Sequence, residues 1–260
     1  VHQINFFEKG AGFPIVCLHG FCESNMIWKG LSEQLADRFR IICPDLPGFG
    51  KSKAPENGFS LKEIGTTIVR WLQDQDIQQC IIVGHSLGGY IALEILREHQ
   101  GFASAITLLN SSAFEDSVDK KENRNKLIDF IGKNGVSPFL KTFVPSLFYP
   151  PTINKHAALI AKIMDDGKSI EPGSVMNYAA AMRDREDSTT LLKDHPERVL
   201  LIAGEHDQNV PLEKSRLMAT YLLNDHTHIL PDSAHMCLFE QSGQTYDAIR
   251  SFATKIRANQ

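Results

Sequence analysis

Four short runs in the first 110 residues are almost wholly apolar: Pro14-Ile15-Val16-Cys17-Leu18, Arg40-Ile41-Ile42-Cys43-Pro44, Cys80-Ile81-Ile82-Val83-Gly84 and Ala105-Ile106-Thr107-Leu108-Leu109. Each is too short for a core helix and lacks the polar alternation of a half-exposed strand. Such runs fit strands buried on both faces, as in a parallel sheet sandwiched between helices. Helical patterns fill the intervals. Leu31, Leu35 and Phe39 recur four apart in a segment running from about Trp28 to Phe39. Ser60 with Glu63 three residues on forms a capping box before Ile64, Ile68 and Leu72. A third helix spans about Ser86 to Arg97. The alternation predicts an α/β fold with a mostly parallel, doubly wound sheet. Ile4-Asn5-Phe6-Phe7 reads as an edge strand closed by the turn at Gly10-Ala11-Gly12.

The strand signal stops at about Ser111 and returns at Arg198-Val199-Leu200-Leu201-Ile202-Ala203. The interval is helical in pattern, rich in charge, and broken at Gly132, Pro138, Pro145, Pro150-Pro151 and Pro172-Gly173. We therefore expect a core made of residues 1–110 and 195–260, with residues 111–194 inserted as a helical cap. After the return come a helix at about Leu212 to Leu222, a strand at His226–Leu230 and a final helix at about Ser242 to Arg257. No repeat or low-complexity tract is present. Hydrophobic residues at 42% and charged residues at 22% are ordinary for a globular chain, which excludes disordered, collagenous and coiled-coil classes. The formal net charge of −4, without a basic block, argues against nucleic acid as a partner. The five cysteines, an odd number in a chain of 260, predict no disulfide framework; Cys17, Cys43 and Cys80 read as buried thiols. With no signal peptide and no apolar run near 18 residues, the expectation is a cytoplasmic protein without membrane attachment, a monomer or a homodimer.

The chemistry concentrates in Gly84-His85-Ser86-Leu87-Gly88-Gly89. Chance gives roughly 0.09 matches to Gly-x-Ser-x-Gly per chain of this composition, so the pattern alone is only suggestive. Its position after a predicted strand and before a predicted helix strengthens it. So sharp a turn crowds the backbone, two glycines relieve the crowding, and the serine hydroxyl is pushed outward. The helix start beneath offers free N–H groups to a developing oxyanion.

With His19-Gly20-Phe21, Asp45 to Ser52, Gly204-Glu205-His206-Asp207 and Ala234-His235 in that order, the chain resembles the α/β-hydrolase family over nearly its whole length. The resemblance implies an eight-stranded sheet, a variable helical cap and a Ser, acid, His relay in chain order. Against that resemblance, the chain is expected to lack the first antiparallel strand or to begin within it. Ser86 is the expected nucleophile. His235, on a loop after the last strand, sits at the sheet edge where Ser86 emerges and is the expected base. His206 is the second choice; His85 cannot curl back onto its neighbour's hydroxyl and reads as structural. His99, His156 and His195 fall on helical or capping positions near the surface. Asp207 is the expected acid, with Gly204 letting the chain turn toward the His235 loop; Asp232 is the runner-up. Some family members carry the acid after the strand ending at Leu109, but here Asn110 stands there. The resemblance implies an oxyanion hole made by the backbone N–H groups of Phe21 and Leu87, the side chain of Phe21 being equally well explained as core.

Gly50-Lys51-Ser52 ends like a phosphate loop, but Asp45 stands where that loop needs its first glycine. His226-x-His228 reads as a solvent-facing strand pair, and no metal or other cofactor is expected. Cys22 and Cys237 lack a dedicated base and read as bystanders. Relatives that cleave carbon–halogen bonds or epoxides use Asp as nucleophile; Ser86 instead points to acyl chemistry. The expectation is a serine hydrolase cleaving a carboxylic ester of a small molecule through an acyl-enzyme. Thioester or C–C bond hydrolysis, or a hydrolase-like receptor with little turnover, are the alternatives.

Overall fold

The computed structural model describes residues 3–258. Seven strands form one sheet: β1 (Phe6–Lys9), β2 (Phe13–Leu18), β3 (Phe39–Pro44), β4 (Cys80–His85), β5 (Ala103–Leu109), β6 (Val199–Gly204) and β7 (Thr227–Leu230). Their order is β1-β3-β2-β4-β5-β6-β7. Only β1 runs antiparallel, with Phe6 opposite Pro44; every other pairing is parallel. The described residues thus hold one strand fewer than the family resemblance implies. The edge strand starts two residues later than the sequence suggests. Ile4 is drawn into the core, and the Asn5 amide donates to the Asp45 carboxylate at 2.7 Å.

Between the strands lie α1 (Lys29–Leu35), α2 (Leu61–Gln73) and α3 (Leu87–Glu98). After β5 come α4 (Val118–Asn134), α5 (Val136–Ser146), α6 (Ala157–Gly167), α7 (Pro172–Arg183) and α8 (Thr189–Asp194). The chain closes with α9 (Leu212–Ala219), α10 (Cys237–Glu240) and α11 (Ser242–Ala258). The capping box of α2 is formed as read: Ser60 Oγ accepts the Glu63 N–H, and Glu63 accepts the Ser60 N–H. The first helix is shorter than its apolar spacing suggests. A 3-10 turn over Asn25–Trp28 takes its start, and the chain leaves the helix at Ala36, so Phe39 opens β3 instead.

Alternate residues of each central strand enter different apolar clusters. Ile15 and Cys17 pack with Leu31, Leu35, Ile249 and Phe252 from α1 and α11. Val16 and Leu18 share a cluster with Ile64, Ile68, Ile91 and Ile95 from α2 and α3. This two-sided burial is why the strands read as unbroken apolar runs. The inserted helices extend the second cluster through Ile131, Leu140, Val175 and Tyr178. All five cysteines are free and buried. Among the described residues no helix is long and apolar enough to cross a membrane.

Candidate active site

Ser86 joins β4 directly to α3 and holds φ 50° and ψ −112°, a conformation outside the ordinary regions for an L-residue. Three local contacts sustain it. A Cβ on Gly84 would strike the Gly88 backbone, and a Cβ on Gly88 would strike the Leu18 carbonyl. The Ser111 hydroxyl donates to the Ser86 carbonyl at 2.7 Å, and a Cβ on Gly89 would displace that hydroxyl. The turn is packed on three sides, while Ser86 itself stays half-buried among buried neighbours. Such strain at a single polar residue is characteristic of functional sites. Leu87 starts α3, so its N–H has no partner within the helix.

His235 lies on the loop between β7 and α10, and its Nδ1 meets Asp207 Oδ2 at 2.7 Å, both residues being buried. The carboxylate is fully engaged. Oδ1 accepts the N–H groups of Asn209 at 2.8 Å and Val210 at 3.0 Å, and Oδ2 also accepts the Asn110 amide at 3.1 Å. Burial alone pushes the Asp207 carboxyl up. The attraction of His235 and these hydrogen bonds outweigh it and hold the group below the usual carboxylate range. With a proton on Nδ1 directed at Asp207, a neutral His235 keeps Nε2 as a free base. Asp232 is exposed, with φ 53° in the preceding turn, and has no hydrogen bond to His235. Gly204 is needed for a different reason from the turn expected of it: a Cβ there would run into the Ala234 carbonyl. The glycine lets the His235 loop lie against the end of β6.

The structure does not join all the expected residues by contact. Ser86 Oγ and His235 share one sheet edge but form no hydrogen bond. The Phe21 N–H is likewise not engaged among the described residues. The Phe21 ring packs edge-on against Phe49, Phe139 and Phe143, with centroids 6.0–6.2 Å apart.

Three partners were not legible in the sequence. Asn110, with φ 47°, donates to both Asp207 and the Ala234 carbonyl, so the uncharged residue at the end of β5 bonds the carboxylate that follows β6. Glu23 and His85 form a buried pair. Glu23 Oε2 accepts the Gly20 N–H at 2.7 Å and faces His85 Nδ1 at 3.0 Å, while His85 Nε2 donates to the His235 carbonyl at 2.9 Å. Burial pushes His85 down, but the Glu23 carboxylate outweighs it and raises the imidazole above its ordinary pKa. Glu23 is lowered, because its interactions with His85 outweigh its own burial. The pair ties the Phe21 loop to the His235 loop. No local pattern announces it, since the two residues are 62 apart in sequence.

The remaining polar residues fall away from this centre. His206 is exposed and stacks on Tyr149 at 4.2 Å. His99 and His195 end α3 and α8, and His156 precedes α6. His226 departs from expectation: it is buried, with Nδ1 toward the Pro196 carbonyl and its ring against Phe252, because the strand starts one residue later. Among the described residues no three potential ligands gather in a metal-binding group. Burial pushes the Cys22 thiol well up and Cys237 up to about 12, so neither supplies thiolate near neutrality.

The sequence profile described as the alpha/beta hydrolase family matches residues 15–248. The chain belongs to the α/β hydrolase family. A thermophilic esterase from Thermogutta terrifontis, solved with malate bound, superposes with a TM-score of 0.90 at 28% identity, covering 98% of this chain and 94% of that one. An enol-lactonase from Burkholderia xenovorans LB400 superposes at 0.86 and 17% identity, covering 97% of both chains, a likeness of fold. A 2-hydroxymuconate semialdehyde hydrolase from Pseudomonas sp. (strain CF600) is 24% identical over 98% of this chain and 92% of its own. Within this family of hydrolases and esterases the chain is an enzyme of the hydrolytic class.

Proposed function

We propose that the protein hydrolyses a carboxylic ester of a small molecule through an acyl-enzyme on Ser86. The observation that carries the reading is the buried 2.7 Å contact between His235 Nδ1 and Asp207, at the same sheet edge as the strained Ser86 turn. In this reading His235 Nε2 takes the Ser86 proton as Oγ attacks the ester carbonyl. The N–H groups of Phe21 and Leu87 stabilise the oxyanion, and Asp207 stabilises the imidazolium. The tetrahedral intermediate collapses, and His235 gives its proton to the leaving alkoxide. Water, deprotonated by His235, then releases the acid and restores Ser86. Catalytic hydrogen bonds are often long without substrate, so the unmade Ser86–His235 bond is compatible with this order.

The helices between residues 111 and 194 serve as the cap. Phe139 and Phe143 stack at 4.7 Å and meet Phe21 edge-on, which supports an apolar acyl group beside the oxyanion loop. C–C bond hydrolysis is the second reading, favoured by the 24% identical semialdehyde hydrolase. The esterase with higher identity puts esters first.

The test is a burst experiment on p-nitrophenyl esters of increasing acyl length, with Ser86→Ala beside the wild type. Many turnovers are expected from the wild type, with a loss on the order of 10⁶ in the variant and unchanged melting. A fluorophosphonate should modify Ser86. Wild-type rates in Ser86→Ala, or labelling mapped to another serine, would remove the nucleophile. Release stalling near one equivalent would favour a receptor.

A further inference from the structure

Glu240 ends α10, five residues after His235, and is buried with both carboxylate oxygens in use. The two oxygens face different parts of the molecule. Oε2 accepts the Ala234 N–H at 2.8 Å and the Ser233 hydroxyl at 3.0 Å, both on the loop that carries His235. Oε1 accepts the Tyr149 N–H at 2.6 Å and the Thr152 hydroxyl at 2.7 Å, both in the inserted segment after α5. A direct link runs alongside: the His235 N–H donates to the Leu147 carbonyl at 2.9 Å. Among the described residues no Lys or Arg pairs with Glu240, so these four donors supply its stabilisation.

We propose that Glu240 is a positioning residue for His235, clamping the base loop to the cap segment 147–152 so that the seating of the cap and the alignment of the base change together. The proposal rests on the serine-hydrolase reading above. The chemistry calls for a carboxylate. Hydroxyls can rotate away, but the Tyr149 and Ala234 N–H groups are fixed donors, one on each oxygen. Glutamine has the same shape but only one acceptor end. Whichever way its amide turns, an NH2 group confronts one of the two N–H groups, and one link opens. Displacing a catalytic group by about 1 Å costs about 10²-fold in rate.

The test follows fluorophosphonate modification of Ser86 in the wild type, Glu240→Gln and Thr152→Val, with thermal melting and the pH dependence of the labelling rate. Labelling needs the base and the oxyanion donors. Glu240→Gln is expected to label about 10²-fold more slowly while folded, its rate climbing with hydroxide in place of the wild type's base-dependent profile. Thr152→Val, which touches nothing in the base loop, removes the hydroxyl that Glu240 Oε1 and the Tyr149 carbonyl share, and is expected to slow labelling about threefold. A purely structural buttress would lower the melting temperature and leave the rate per folded molecule and the pH profile unchanged. That result in Glu240→Gln overturns the proposal. Should that variant not fold, Thr152→Val decides, and labelling at the wild-type rate overturns it. If the wild type itself does not label, the serine-hydrolase reading falls and this one with it; if only the variants match the wild type, this one falls alone.

Discussion

Asp207 and Asp232 carry the same side chain twenty-eight and three residues from His235, and the more distant one reaches it. Asp232 sits in a tight turn with positive φ and points to solvent. Asp207 is buried and takes hydrogen bonds on both oxygens, so its orientation is fixed before any substrate arrives. Asp207→Asn is therefore expected to lower kcat by about 10⁴, because an amide can present the wrong group to Nδ1 and stabilises the imidazolium poorly. Asp232→Asn should stay within a few-fold, as exposed polar changes do. Measuring kcat/KM for both at one pH, with circular dichroism to confirm folding, checks the pair. A damaging Asp232→Asn beside a mild Asp207→Asn would move the acid and leave Ser86 and His235 standing.

At the scale of elements, the strand–serine–helix turn is held by what its glycines leave out. Gly88→Ala drives a methyl into the Leu18 carbonyl, a backbone atom of the neighbouring strand that has no room to yield. We expect destabilisation of about 2 kcal/mol or more, since strain of this kind adds to the strain already held at Ser86. Gly173 in α7 is the contrast: a methyl there meets nothing within 4 Å, and φ is not positive. Gly173→Ala should stabilise by about 0.4–1 kcal/mol by restricting the unfolded chain. Melting temperatures of the two variants should move in opposite directions. The reverse order would mean that the turn can shift as a unit. The α2 capping box was readable because both its partners lie within one turn of helix. The end of α1 was not, because Phe39 continues the helical spacing although the sheet takes it.

The molecule as a whole is stitched across its insertion by Asp116. This buried carboxylate meets Arg185 at 2.8 Å and Arg124 at 3.2 Å, with Lys120 at 3.7 Å, so the start of the inserted segment is bound to its end. Burial pushes Asp116 up, but the three cations outweigh it and hold its pKa below the ordinary value. Asp207 is lowered in the same sense. A carboxylate depressed in the folded state contributes stability above its unfolded pKa, near 3.9, and loses it as pH falls through the folded value. The melting temperature should therefore fall steeply below about pH 4. Asp116→Asn should melt lower at pH 7, with a shallower decline between about pH 5 and 3. Calorimetry across that range checks the slope, and an unchanged slope would mean that Asp116 does not take part in acid unfolding.

Local patterning determined the sheet and the strand–helix turn at Ser86. Strands covered on both faces must be apolar throughout, and a strand that turns into a helix within one residue must be flanked by glycine. Both requirements are met by contiguous residues and leave a mark in the sequence. The resemblance of short motifs carried the choice of His235 and Asp207. Tertiary structure alone decided that Asn110 bonds Asp207, that Glu23 pairs with His85, and that Glu240 accepts hydrogen bonds from both the His235 loop and the inserted segment. It also assigned Gly204 to close approach and buried His226. Hydrogen bonds between residues 62, 91 or 97 positions apart obey no period of 2 or 3.6. They exist because the crossovers bring those strand ends and loops to one edge of the sheet, where buried polar groups must find partners in one another.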